Sequence, residues 1–468
     1  MTPLAAILAL LLPALLGTAA VVAAHRGESS VHAPGFAASA IGAGIAIGAF
    51  ATTLVLRALA LASVSYGFAA TVVPVAVLAA GTLALAWRAA APAIRGQALA
   101  CGRGLLARDL AGWARVGWFA LLAWIALHAI LLLAEVCVRP MYPWDAWSAW
   151  ATKAKTWSSL GMMVPFGDAD AWRSAMPATW FDARPGAPAT VPLLQVWMAT
   201  ALGRWDDSLA NLVWWLCYIA IVLAVAGETR RRGASAAAAL VAAWFVASLP
   251  LLDAQVALAG YADLPLAMFF TVGALAALRA ASTRSRADIA VAVIALLAAA
   301  TSKETAWTWI AVVAPGCAAA ALGPRAWRRI AVTLGVIAIA VTGAAARGAN
   351  LAWTRGLLAF DPIAATFAAE SLLYANWHLL GVGLVLAALL GRRRLLAPDV
   401  APLGFVLLAG ALWVAALVAF PALRYLAADA LGIQRVLLVL APLAIVWIVD
   451  ASGVGRAPEM RPAPDSAG

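Results

Sequence analysis

Four short stretches of this chain place carboxylates in an otherwise apolar sequence, three of them beside lysines or arginines. RPMYPWDAWSAWATKAKTWSSLG, 139–161, holds Asp145, Lys153 and Lys155 among four tryptophans. LLDAQVALAGYADLPLA carries Asp253 and Asp263, and TSKETAW carries Lys303 and Glu304. RYLAADALGIQRVL carries Arg424, Asp429, Gln434 and Arg435. A carboxylate can take a proton from a hydroxyl, and guanidinium or ammonium groups can hold a phosphate. Ionisable groups near a membrane are costly to keep, so each asks for a function. Together they suit a substrate with a lipid tail and a phosphate head.

Each place also has an ordinary reading. Lys303 and Glu304 would cap their helices and pair with each other. Asp263, two residues before Pro265, has the look of a helix cap, and so does Asp145 after Pro143 and Trp144. Arg435 could snorkel to the membrane surface. Asp206 and Asp207 read as helix-start acids. Asp168 and Asp170 form a D-x-D pair of metal-binding type, but such pairs are common in solvated loops, and no metal site is expected. Cys101, Cys137, Cys217 and Cys317 have neither metal-ligand nor redox spacing, and His128 and His378 read as packed helix residues.

The elements that must position these residues are set by composition. Of 468 residues, 65% are hydrophobic and 11% charged. A soluble domain needs a larger charged shell than that. The apolar runs are about 20 residues long, enough to cross a bilayer as helices. About thirteen are expected, near 4–24, 36–57, 68–88, 115–137, 208–226, 234–252, 263–279, 287–301, 305–322, 329–346, 373–390, 400–420 and 433–449. The predicted fold is therefore an all-α polytopic transmembrane bundle with an interfacial helical outer loop. The N-terminal run lacks a basic leader and is longer than a signal-peptide core, so it reads as the first span.

The net charge of +11 does not point to nucleic acid, because the arginines cluster between apolar runs, at 230–232, 279–286, 325–329 and 392–394. That is the cytoplasmic-loop pattern. Letting each helix cross once puts all of these on one side. The interval 138–207 and all three lysines fall on the other, outer side. The chain divides into a three-helix scaffold, 1–112, a catalytic membrane domain, 113–450, with its outer loop 138–207, and a disordered cytoplasmic tail, 451–468.

In the outer loop, at 100° per residue, Asp145, Ser148, Thr152, Lys155, Thr156 and Ser159 share one helical arc. Trp144, Trp147, Trp150, Trp157 and Gly161 take the opposite one. The expectation is an amphipathic helix with its indoles at headgroup level. The segment 187–203, too short to span, reads as an interfacial or re-entrant helix closing the loop.

The order of these motifs resembles the GT-C superfamily of integral-membrane glycosyltransferases, in the branch of protein O-mannosyltransferases and aminoarabinose transferases. WDAWSAWATKAKTWSSLGMMVP sits where the family has its acid and amphipathic segment, VPLLQVWMATALG where it has P-P-L, and ANLVWWLCYIAIVLAVAGETRRR where a helix ends in basic residues. GYADLPLAMFF, ATSKETAW and QRVLLVLAP match the later acid, the lysine turn and the late arginine helix. The match covers roughly 113–450. The first proline of P-P-L is Val191 here, and Ala146 stands where many relatives have a second acid.

The resemblance implies a polyprenyl-phosphate-linked sugar donor, inversion at the anomeric carbon, no cofactor, and a site facing away from the cytoplasm of a bacterial inner membrane. Asp145, with Asp263, would be catalytic. Arg435, Lys303 and Arg424 would bind the donor phosphate. Lys153, Lys155 and Glu304 would meet the acceptor or the sugar. The acceptor would be a glycan, lipid or protein. Alternatives are a transporter or flippase of lipid-linked sugars, for which no internal repeat is seen, and a non-catalytic scaffold of the same fold.

Overall fold

A computed structural model describes residues 3–105, 112–175, 180–348, 376–419, 430–453 and 455. Arg424, Asp429 and most of the tail from 451 lie outside the described residues.

The protein is an all-α integral membrane protein. In chain order its helices are α1 Pro3–Ala24, α2 Phe36–Leu61, α3 Phe68–Leu105, α4 Gly112–Val138, α5 Thr152–Leu160, α6 Ala169–Ala175, α7 Thr190–Leu202, α8 Leu212–Arg231, α9 Ala236–Ala247, α10 Pro250–Ala257, α11 Asp263–Thr283, α12 Arg286–Ala300, α13 Ala306–Leu322, α14 Pro324–Gly348, α15 Leu380–Leu390, α16 Ala401–Ala419, α17 Ala430–Leu437 and α18 Ala441–Ser452. A two-residue parallel strand pair, β1 Phe166–Gly167 with β2 Trp180–Phe181, ties the outer loop together. Among the described residues six helices are long and apolar enough to cross a membrane, or seven if α9 and α10 form one broken span. Several of the other expected spans are apolar helices of 10–17 residues.

Two expected spans are broken, each where a proline opens the second half. Pro250 begins α10, which bends 56° from α9, and Pro442 stands at the start of α18, just after α17. Proline suits the first turn of a helix but disrupts the interior of a continuous one. The second break follows Arg435 closely, and the first stands beside Asp253 in the opening turn of α10.

α2 and α11 are mostly buried in protein, whereas α3 and α4 expose long rows of leucine, isoleucine, valine and tryptophan. In a bilayer that exposure carries little cost, because lipid tails are as apolar as the side chains. The core is continuous from α1 and α2 through α7, α8 and α11 to α18, so the first three helices share it with the rest. Close packing of α1 on α2 requires glycine: a Cβ on Gly48 would run into the carbonyl of Pro13, and one on Gly17 into that of Gly44.

The segment expected to be interfacial or re-entrant, α7, is buried from Thr190 to Met198 and inserts among α1, α2 and α5. The Trp197 indole donates to the carbonyl of Ala9 at 2.8 Å, and Arg57 of α2 donates to Thr190 Oγ1 at 3.2 Å. Both faces of α7 are apolar, and this favours insertion over lying on a surface.

The tryptophan arc also differs from expectation. Trp144 and Trp147 are exposed, but Trp150 and Trp157 are buried. Trp150 and Trp157, seven residues apart, share the side of the stretch that packs against the protein, while Trp144 and Trp147 lie at the outward edge of the arc; a π-helical turn runs over Ala146–Ala151.

Candidate active site

Asp145, Asp263, Lys303 and Arg435 come from four separate elements and meet at one end of the bundle. Asp263 is the first residue of α11. Its Oδ1 accepts from Lys303 Nζ at 2.5 Å, and its Oδ2 accepts from Arg435 Nε at 2.9 Å and Nη2 at 2.7 Å. The remaining Arg435 arm, Nη1, donates to Asp145 Oδ2 at 3.1 Å. Arg184, from the loop before α7, stands 3.9 Å from Asp145 Oδ1.

Local structure explains why each side chain arrives there. Before α11 the chain turns at Gly260, at φ +112°, a conformation that L side chains rarely adopt, and a Cβ there would press on Ala146. Glycine thus lets the Asp263 turn pack directly on the Asp145 turn. The carbonyl of Tyr261 accepts from the Trp214 indole at 2.8 Å, which fixes the turn against α8. The Tyr261 ring lies under the Arg435 guanidinium, 4.0 Å from its centre. Lys303 sits in the turn between α12 and α13, held by Ser302 Oγ donating to Ala298 O at 2.7 Å. Thr301 beside it accepts from Thr190 Oγ1 at 2.9 Å, linking this turn to α7.

The ordinary readings of these residues give way here. Neither the turn after Asp145 nor the start of α11 carries a side-chain cap. Lys303 pairs with Asp263 and not with Glu304. Arg435 points into the protein.

The two carboxylates are not equivalent. Asp263 is 2% exposed and receives three hydrogen bonds from two cations. Asp145 is 26% exposed and keeps an oxygen facing the looser Arg184 contact. A saturated, buried carboxylate positions its partners. A partly exposed one with a loose contact can accept a proton. With both acids ionised, three cations face two anions, so the cluster has an excess positive charge suited to a phosphate.

Of the other expected site residues, Arg424 is outside the described residues, and the rest lie elsewhere. Lys153 was expected to meet the acceptor or the sugar, but it is 2% exposed and turned under the outer loop. Its Nζ donates to the carbonyls of Arg184 at 2.6 Å and Ala187 at 3.3 Å, with Asp182 at 3.7 Å. Lys153 falls on the inner side of the stretch because it stands three residues after Trp150 and four before Trp157, both buried. Burial lowers its pKa from the ordinary lysine value, while Asp182 and then Glu304 pull it back up. Burial likewise raises the Asp182 carboxyl, against the opposing effect of the hydrogen bond from the Arg184 N–H and of Lys153. Lys155 and Glu304 are exposed. Asp168 caps α6, accepting from the Ala171 N–H at 2.8 Å, and Asp170 pairs with Arg173. Among the described residues no group of three or more histidines, cysteines or acids could hold a metal ion.

Sequence reasoning missed Arg184, Asp182 and Tyr261. Arg184 and Asp182 sit in an aperiodic solvated loop, where nothing local marks them. Tyr261 could have been suspected from its place two residues before Asp263. Two clefts, one lined by Ala9, Pro13, Trp197 and Leu216 and one by Leu8, Phe68, Val72 and Trp197, are apolar packing gaps away from this cluster.

A second polar pair lies deeper. His128 Nε2 is 3.0 Å from Asp253 Oδ2, and the imidazole stacks on Trp124 at 4.6 Å. His128 precedes the end of α4 by about 15 Å of helix. No protein-family model, curated protein or solved structure matches the chain.

Proposed function

We propose that this protein is a membrane glycosyltransferase that moves a monosaccharide from a polyprenyl-phosphate donor to an acceptor hydroxyl on the outer face, with inversion. The convergence of Asp145 and Asp263 on Arg435, completed by Lys303, carries this reading. In it the shorter apolar helices also cross, giving about thirteen spans in a GT-C-like arrangement in a bacterial inner membrane.

The donor's prenyl chain lies among the helices and its phosphate sits on Arg435 and Lys303. An arriving phosphate competes for the Arg435 Nη1 donor that now holds Asp145. Donor binding thereby releases the base. Asp145 then takes the acceptor's proton as the hydroxyl oxygen attacks the anomeric carbon. The departing phosphate is already stable as an anion, so no general acid is required. Asp263, saturated by its two cations, keeps both aimed at the phosphate. Base catalysis contributes about 10²- to 10⁴-fold, and positioning and charge stabilisation supply the rest. Lys155 and Glu304, on the exposed surface, are placed to meet an acceptor glycan, lipid or protein.

The test is transfer by the purified, reconstituted protein from a panel of labelled polyprenyl-phosphate sugars. Release of free polyprenyl phosphate that depends on Asp145 is expected. Release that is unchanged in Asp145→Asn would overturn the assignment.

One observation favours a second reading, a transporter of lipid-linked sugars. The His128–Asp253 pair lies well below the outer end of α4 and beside the bent α9–α10 break, a place where transporters hold coupling groups. Movement of labelled lipid-linked sugar across sealed vesicles, without loss of the sugar from its lipid and dependent on Asp253, would support it over the transferase.

A further inference from the structure

Arg184 stands at the open edge of the cluster, and its head group and backbone are held very differently. The guanidinium is 49% exposed and 3.9 Å from Asp145, beyond hydrogen-bond length and the loosest cation contact in the cluster. The backbone is strapped down. Lys153 Nζ donates to the Arg184 carbonyl at 2.6 Å, and Asp182 Oδ1 accepts from the Arg184 N–H at 2.6 Å. Lys153 and Asp182 are both buried. Burying two ionisable side chains is costly, and a surface arginine does not need such an anchor simply to stay in water. The strap fixes where the arginine stands and leaves its head free to swing.

Charge indicates where it would swing. The inference rests on the transferase reading above. In that reaction the bond between the anomeric carbon and the phosphate oxygen breaks, and its electron pair stays on the phosphate oxygen. A bond from the acceptor oxygen to the anomeric carbon forms, and the acceptor's proton passes to Asp145. The lipid phosphate changes from a singly charged diester to a doubly charged monoester, while Asp145 loses its charge. A cation that neutralised Asp145 is released at the moment a second negative charge appears nearby. Arg435 and Lys303 cannot move to meet it, because both are bonded to the buried Asp263.

We propose that Arg184 is a positioning residue for the leaving group: it passes from Asp145 to the phosphate as the monoester forms, so it selects the product-like dianion over the donor diester. A contact that strengthens as the reaction proceeds raises the rate and not merely the affinity.

The test needs no knowledge of the sugar. The probes are polyprenyl phosphate, a monoester, and its methyl ester, a diester. Binding of each to the full chain in nanodiscs is measured at pH 8, where the monoester is a dianion. Asp145→Asn imitates the protonated base. It is expected to tighten monoester binding at least about tenfold more than diester binding, the size of one added charge-assisted contact, because both probes gain the freed Arg435 arm and only the dianion draws Arg184. Adding Arg184→Gln should abolish that difference, and Arg184→Lys should keep part of it. In the otherwise wild-type protein, Arg184→Gln should lower kcat more than it raises KM.

If Arg184→Gln shifts the affinities for monoester and diester equally, or shifts neither, the proposal is overturned while the transferase reading stands. If the wild type binds neither phosphate, the transferase reading itself fails and the proposal with it. Arg184 is exposed, so Arg184→Gln should fold, and an unchanged thermal unfolding midpoint confirms it.

Discussion

The protein has two ionic clusters, one near each end of α11, and they are built on opposite plans. Asp263 opens that helix and Arg279 lies about 24 Å along it. Around Arg279, Glu228 of α8 accepts from Arg279 and from Arg232, the latter at 2.8 Å. Asp288 of α12 accepts from Arg279 Nε at 2.9 Å, and Asp450 of α18 from Arg232 Nη1 at 3.0 Å. The three acids are 1–3% exposed, and each arginine bridges two of them. Ser285 donates to Glu28 at 2.8 Å, and Arg394 pairs with Asp399 beside the same end. These bonds join α8, α11, α12 and α18 with every carboxylate held by an arginine, and Arg231 beside them lies with its guanidinium over the Phe36 ring, 5.6 Å from its centre.

The cluster at the other end is cation-rich and partly open, and one of its acids is only loosely held. A saturated buried network is scaffold, because its charges have nothing left to offer. A network with surplus charge and exposed members can take a ligand. The difference lies in satisfaction and exposure, since the residue types are the same.

The sharpest way to break the comparison is Glu228→Ala. It leaves two arginines facing an empty buried position and should cost about 3–5 kcal/mol of stability, the usual penalty for removing one partner of a buried pair. Thermal unfolding in detergent measures this. A loss no larger than that of an exposed pair would show that the network is wetter than its burial implies.

Next is Asp145→Asn. Asparagine nearly conserves shape but cannot accept a proton. Transfer should fall by at least about two orders of magnitude while the unfolding midpoint stays put. Near-normal transfer would move the base elsewhere.

A smaller effect is expected for Arg435→Lys. It keeps the charge but loses the fork that holds Asp263 and Asp145 together. Donor affinity should weaken about tenfold, equivalent to one charge-assisted bond, as read by titration with the phosphate diester. An unchanged affinity would place the phosphate on Lys303 alone.

The smallest effect belongs to Asp168→Ala. Losing a helix cap costs about 1 kcal/mol locally, and transfer should be unaltered. A large loss of transfer, restored by added divalent cation, would revive the metal reading of the D-x-D pair.

Sidedness of the two clusters is a separate check. Cysteines placed at Asp170 and Arg393 should be labelled from opposite sides of the membrane, and labelling of both from one side would overturn the topology.

The sequence by itself determined the class of protein and most of its helices. Apolar length and turn composition are local properties, and a chain with too little charge to cover a soluble core must use lipid as its solvent. It also marked Asp145, Asp263, Lys303 and Arg435, because an ionisable residue in apolar surroundings is conspicuous wherever it falls. Only the tertiary structure decided which of them touch. The Arg435–Asp145 contact joins residues 290 positions apart, and the pairing of Lys303 with Asp263 over its neighbour Glu304 depends on how α11 packs on α12 and α13. The structure alone also buried Lys153 and two of the four tryptophans. A helical wheel orders side chains by angle, but which side packs against the protein is set by the neighbouring elements. Arg184 was invisible for the same physical reason: a loop has no period, so its place beside Asp145 is set by the buried lysine beneath it, which only the folded chain supplies.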